Sequence, residues 1–164
     1  MNTQKVIYRK KVFIIPFYNN KVMCVKDKIT KEWGFLSGGV KEKKRESYIQ
    51  AAERELSEET SNILKYIPRN HKVFDFITDY KPSSQIRRLH DRRENVKSKY
   101  KVYIFELNLN QIKDLENNFV PNSEIEAIKV APYMTFKKRW MVCDEFWEYY
   151  HNFLKTASDN IQFK

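Results

Sequence analysis

All three glycines of this 164-residue chain, Gly34, Gly38 and Gly39, fall between Trp33 and Val40. Glycine is needed where backbone bends sharply or approaches a ligand closely, so this clustering marks where the main chain itself has work to do. Any fold the chain adopts must bring its functional groups to that loop. The loop feeds residues 47–64, where Tyr48, Ile49, Ala52 and Leu56 recur at helical spacing behind a Ser47-x-x-Gln50 capping box. That pattern predicts a helix.

On such a helix Glu55, Glu58 and Glu59 lie within an arc of about 100°. Like charges three and four residues apart repel, and negative charge near a helix C-terminus opposes the macrodipole, each at roughly a few tenths of a kcal/mol. An isolated acidic helix is most often a solvated face, here with Arg54 paired to Glu58. Directly after a glycine loop, the same carboxylates can be joined by backbone carbonyls around a hard divalent cation. Mg²⁺ is bound this way, through a few carboxylates, and shares its remaining positions with water and phosphates.

The rest of the chain reads as strands around this unit. Residues 11–17 and 21–25 form a predicted hairpin turning at Tyr18-Asn19-Asn20, with further strands at 72–78, 100–109 and 124–130. Residues 135–154 read as a closing amphipathic helix with Trp140, Cys143, Phe146, Trp147, Tyr150 and Leu154 inward. The expectation is one α+β domain spanning 1–164. Between the strands lies a predicted insertion loop, 79–99, carrying Arg87, Arg88, Arg92 and Arg93. Such long loops are commonly functional. The net charge of +10 points to a polyanionic partner such as RNA, DNA or a heavily phosphorylated small molecule. Cys24 and Cys143 form no CxxC pair, which with the lack of a leader-like or membrane-spanning apolar run predicts a cytoplasmic protein. His71, His90 and His151 lack metal-ligand spacing, and the chain has no Walker A loop, zinc spacing or Ser/His/Asp signature.

Gly39, six residues, Glu46, seven residues, then Arg54-Glu55-Leu56-Ser57-Glu58-Glu59 resembles the signature of the Nudix hydrolases. The helical half matches through Glu59. There is one extra residue between Gly39 and Glu46, and Ser61 stands where Gly is usual, so Ser61 or Asn62 must supply the left-handed residue that ends the helix. The resemblance implies a Nudix-type α/β/α sandwich with a mixed sheet, a catalytic loop-helix and a C-terminal amphipathic helix. It implies that Glu55, Glu58, Glu59 and the Gly39 carbonyl bind Mg²⁺ or Mn²⁺, that Arg54 orients Glu55, and that Glu46 supports the site. The reaction implied is attack of water on a diphosphate linkage.

Nudix enzymes often draw a further acidic residue from outside the box as base or ligand. Glu126 is the first candidate and Glu124 the second. Lys41, Lys43 and Lys44 in the catalytic loop, together with the four insertion arginines, suit RNA phosphates, and the compact basic chain is similar to Nudix decapping enzymes of large DNA viruses. RNA 5′-end hydrolysis is therefore the expected activity, with diphosphoinositol polyphosphates or nucleotides as alternative substrates. A non-catalytic RNA-binding module would leave the cost of the clustered glutamates unexplained. Trp33, Tyr80, Tyr133 and Trp140 are available to stack on a base.

Overall fold

The computed structural model describes residues 6–79, 95–132 and 135. Its elements are β1 (Val6–Tyr18), β2 (Lys21–Asp27), β3 (Trp33–Gly34), β4 (Leu36–Gly39), a 3-10 turn (Glu42–Lys44), α1 (Tyr48–Glu59), β5 (Lys72–Asp79), β6 (Asn95–Glu106), α2 (Leu109–Asn118) and β7 (Ile125–Pro132). The strands form one seven-stranded mixed sheet. Its axis is β1, because that strand is apolar on both faces: Val12 and Ile14 alternate with Phe13 and Ile15, and all four are buried. A strand with two apolar faces is stable only in the middle of a sheet covered on both sides. β6 runs parallel along one edge of β1 from Val6 to Phe17, so the other edge is shared by β4, at Lys11 to Ile14, and the β2 hairpin, at Phe17 and Tyr18. β5 extends the sheet beyond β6, and β7 pairs with β2.

Val12, Ile14, Met23, Val25, Leu36, Tyr103 and Phe105 face a core that Ala51, Ala52 and Leu56 of α1 and Ile112 and Leu115 of α2 enter from above. Truncating a fully buried anchor such as Leu56 to Ala should cost about 2–5 kcal/mol. On the opposite face Phe13 stacks on Tyr100, with centroids 4.6 Å apart, and meets Phe35 edge-on. Among the described residues no helix is long and apolar enough to cross a membrane.

Several boundaries shift from the sequence-based expectation, β1 starting at Val6 and β6 ending at Glu106, and β3 and β4 are strands where a loop is expected; two further differences have a legible physical reason. Residues 95–99 of the predicted loop belong to β6: Val96, Ser98 and Tyr100 alternate with Lys97, Lys99 and Lys101, and Ser98 and Tyr100 are buried, so lysines on the polar side disguise a strand. α2 is the second, a helix where none is expected, although Asn108 and Gln111 close a capping box at its start and Ile112 and Leu115 are spaced for one face. The arginines at 87, 88, 92 and 93, and the predicted closing helix 135–154 apart from Thr135, lie outside the described residues.

Candidate active site

α1 starts where the capping box predicts. The Ser47 hydroxyl accepts from the Gln50 N–H, and the Gln50 side chain accepts from the Ser47 N–H. The helix stops earlier than expected. Ser61 (φ 54°) and Asn62 (φ 67°) are both left-handed, Asn62 N–H donates to the Ser57 carbonyl at 2.8 Å, and Ser61 N–H reaches the Glu58 carbonyl at 3.4 Å. This is a Schellman ending with serine at the position glycine usually takes, a conformation that costs a non-glycine residue about 1 kcal/mol. The preceding loop contains the 3-10 turn, which closes when the Arg45 N–H (φ 56°) donates to the Glu42 carbonyl and that of Glu46 to the Lys41 carbonyl.

Arg54 organises the loop against the helix. Its Nε and Nη2 grip Glu46 at 2.8 and 2.9 Å, Nη1 donates to Glu55 at 2.8 Å and more weakly to Glu58 at 3.4 Å, and Nη2 also donates to the Gly39 carbonyl at 2.8 Å. The paired guanidinium pulls Glu46 down to about 2, where it is an obligate anion. The Gly39 carbonyl keeps a second lone pair beyond the one given to Arg54. Gly38 serves the close approach: a Cβ there would lie 2.1 Å from the Glu55 carboxyl, whereas one on Gly39 would meet nothing within 4 Å.

Glu55 and Glu59 are only 8% and 6% exposed. Glu59 accepts from the Ser37 N–H at 3.2 Å. Burial, reinforced by Glu58 and Glu124 and opposed by Arg54, pushes Glu55 up to about 7. Burial, reinforced by Glu55 and Glu124, raises Glu59 well above the usual carboxylate range. Glu55, Glu59 and Glu124 each offer a carboxylate oxygen within 4.8 Å of the others. Three oxygen donors this close, two of them buried, fit a hard divalent cation, which would add positive charge beyond that of Arg54. Glu58 stands exposed beside them on the same helix.

Glu124 joins this cluster and Glu126 does not. Glu126 is held by Lys31 at 2.9 Å and Lys26 at 3.6 Å, and Lys31 above all lowers its pKa. The sheet register explains the separation, since Lys26 pairs with Ala127 but Asp27 with Ile125, which leaves Glu126 as the extra residue of a bulge. Glu124 precedes the strand, in a turn closed by Asn122. Lys41, Lys43 and Lys44 lie exposed on the loop between β4 and α1. Trp33 is buried in the sheet and offers no platform for a base.

Carboxylates converging on a glycine-bounded loop against a mixed sheet form a centre suited to a hard divalent cation, and the family match places them in a class of protein, the phosphoanhydride hydrolases. A family model described as the NUDIX domain matches residues 7–153, and the chain belongs to the Nudix family of pyrophosphohydrolases. No curated protein matches the sequence. Solved structures share the fold at low identity. The MutT protein of Methanosarcina mazei Go1 is 12% identical with a TM-score of 0.62, covering 94% of this chain and 99% of that one. The NUDIX domain of Shewanella oneidensis NrtR, complexed with ADP ribose, is 12% identical at 0.59, over 97% and 90%. The E. coli dihydroneopterin triphosphate pyrophosphohydrolase is 16% identical at 0.58, over 92% and 99%. The likeness to viral decapping enzymes gains no support from these neighbours.

Proposed function

We propose that the chain hydrolyses the phosphoanhydride linkage at the 5′ end of RNA, removing the cap. The observation that carries this reading is a lysine-bearing sheet face that continues from the carboxylate site. β4 joins the two: Gly38 packs against Glu55, and two residues on, Val40 N–H donates to the Lys10 carbonyl. Across the sheet from there, Lys10 pairs in register with Lys99, Val12 with Lys101 and Tyr8 with Lys97, so these side chains share the α1 face. Lys10 and Lys101 both stand over the Tyr48 ring at the start of α1, at 5.8 and 5.3 Å. Acidic neighbours temper this charge in part, with Glu42 3.6 Å from Lys10 and Asp75 3.2 Å from Lys101. Exposed Tyr8 and Ile77 add apolar surface to the same face. A basic, partly aromatic face of this extent matches a phosphodiester strand better than one nucleotide.

In this reading Glu55, Glu59 and Glu124 hold Mg²⁺ or Mn²⁺, with Glu58 and the Gly39 carbonyl completing the set. The bound cation supplies neutralisation of charge on the scissile diphosphate. Arg54 keeps Glu55 and the Gly39 carbonyl oriented, Glu46 fixes Arg54, and Lys41, Lys43, Lys44 and the strand lysines anchor the transcript so that remote binding positions the scissile bond. ADP ribose and dihydroneopterin triphosphate, named with two of the structural neighbours, favour a small nucleotide or nucleotide-like polyphosphate as the second reading.

The deciding experiment compares cap-labelled RNA, free cap dinucleotide, ADP-ribose, nucleoside triphosphates and inositol pyrophosphates at matched ionic strength and metal. RNA decapping releases methylated guanosine diphosphate and leaves a 5′-monophosphate, with the isolated cap a much poorer substrate. Efficient turnover of a small molecule with no diphosphate released from capped RNA would overturn the assignment and leave the Nudix chemistry standing.

A further inference from the structure

We propose that Asn122 and Ser61 form a latch that sets Glu124 against the α1 glutamates, which makes Asn122 a positioning residue of the carboxylate site. The Asn122 side chain faces two ways. Its Oδ1 accepts from the N–H groups of Glu124 at 3.0 Å and Ile125 at 2.9 Å, fixing the turn from which Glu124 projects. The two hydrogens of its Nδ2 are shared among three acceptors, the Glu58 and Glu59 carbonyls, both at 3.2 Å, and the Ser61 hydroxyl at 3.1 Å. One amide therefore links the backbone of Glu124 directly to the backbone of two α1 glutamates. The carbonyls it meets are among the last of α1, beyond the reach of the regular helix ladder, and that of Glu58 is otherwise approached by the cap N–H groups, Ser61's at 3.4 Å.

Ser61 accounts for the other half. Its hydroxyl donates to the Val120 carbonyl at 2.6 Å and accepts from Asn122, so the residue that departs from the family's glycine ties the end of α1 to the segment before β7. A glycine would take the left-handed backbone without strain but could make neither bond. From its other side the Glu124 carbonyl accepts from the Lys28 N–H at 2.8 Å, so the main chain at Glu124 is held both by the latch and by the end of β2. Two long-range hydrogen-bond groups thus converge on the residue before a strand, where chain ends are otherwise free to adjust.

The inference rests on Glu124 being a cation ligand and is independent of which substrate is cleaved. The test is the affinity of the purified protein for Mn²⁺ alone, by titration calorimetry or electron paramagnetic resonance, in wild type, Asn122→Ala, Ser61→Gly, Glu124→Gln and the Asn122→Ala/Glu124→Gln double variant. Groups that orient a ligand are worth roughly ten- to a hundredfold in metal affinity, so Asn122→Ala should weaken Mn²⁺ binding about tenfold. Ser61→Gly should weaken it several-fold. Asn122→Ala should have no further effect once Glu124 is Gln, which a merely structural role would not produce. Unchanged affinity in Asn122→Ala and Ser61→Gly, or an undiminished effect of Asn122→Ala on the Glu124→Gln background, would overturn the latch. Unchanged affinity in Glu124→Gln overturns it differently, by removing the ligand on which it acts. Should Asn122→Ala fail to fold, Ser61→Gly decides, since it relieves backbone strain and keeps the fold.

Discussion

Replacing Gly38 with alanine separates the site from the fold with a single methyl group. The added Cβ would lie 2.1 Å from Glu55 Cδ and Oε1 and 2.6 Å from Cγ, far inside contact distance. Gly38 has no positive φ, so its backbone is one that alanine can adopt, and the whole effect is steric. What stands in the way is the end of a flexible side chain, which can swing aside but only by giving up the 2.8 Å bond from Arg54 and its place near Glu59 and Glu124. Overpacking of this kind costs about 1–3 kcal/mol of stability, at the low end here because a carboxylate yields more readily than backbone. A displacement of about 1 Å at a reacting centre can cost on the order of a hundredfold in rate. Gly38→Ala should therefore fold, melt slightly earlier and lose about a hundredfold or more in turnover. Gly39→Ala keeps its carbonyl and meets nothing within 4 Å, so it should leave stability nearly unchanged. Urea denaturation and steady-state turnover of the pair are the assay. Wild-type turnover in Gly38→Ala, or equal damage in Gly39→Ala, would refute the close-approach argument.

Glu58→Gln, at an exposed position, should nearly abolish turnover without unfolding the chain, as circular dichroism beside the rate would show. The carboxylates of the site should make the metal-free protein less stable at pH 8 than at pH 5. Glu55, raised from 4.5 to about 7, contributes stability that is full below 4.5 and lost as pH rises through 7, up to about 3 kcal/mol, and Glu59 acts in the same direction. Glu46, lowered from 4.5 to about 2, contributes stability present above 4.5 and lost as pH falls through 2. Urea midpoints in EDTA at pH 5 and 8 check this, and Glu55→Gln should flatten the upper limb. If the strand lysines touch RNA phosphates, neutralising Lys97, Lys99 and Lys101 should reduce the slope of log K against log salt by about 0.7 for each phosphate no longer neutralised, and an unchanged slope would return that face to ordinary solvated surface.

The sequence alone determined the local parts. The Ser47 and Gln50 capping box places the start of α1, helical spacing puts Glu55, Glu58 and Glu59 on one face, and alternating apolar residues identify the strands, because each depends on neighbours within a turn or a pleat. The same local logic extends to α2 through Asn108 and Gln111, but its apolar face is sparse and the signal correspondingly faint. What required tertiary structure is what depends on register between distant segments. Glu124 and Glu126 are two residues apart and equivalent by strand parity. Only the bulge opposite Lys26 and Asp27, and the bonds from Asn122 to the end of α1, turn one toward the carboxylates and leave the other with Lys31. Lysines from two strands nearly ninety residues apart likewise share a face only because β1 and β6 run parallel in a register that sets Lys10 beside Lys99, and pairing across that much chain is fixed by the packed core rather than by any local pattern.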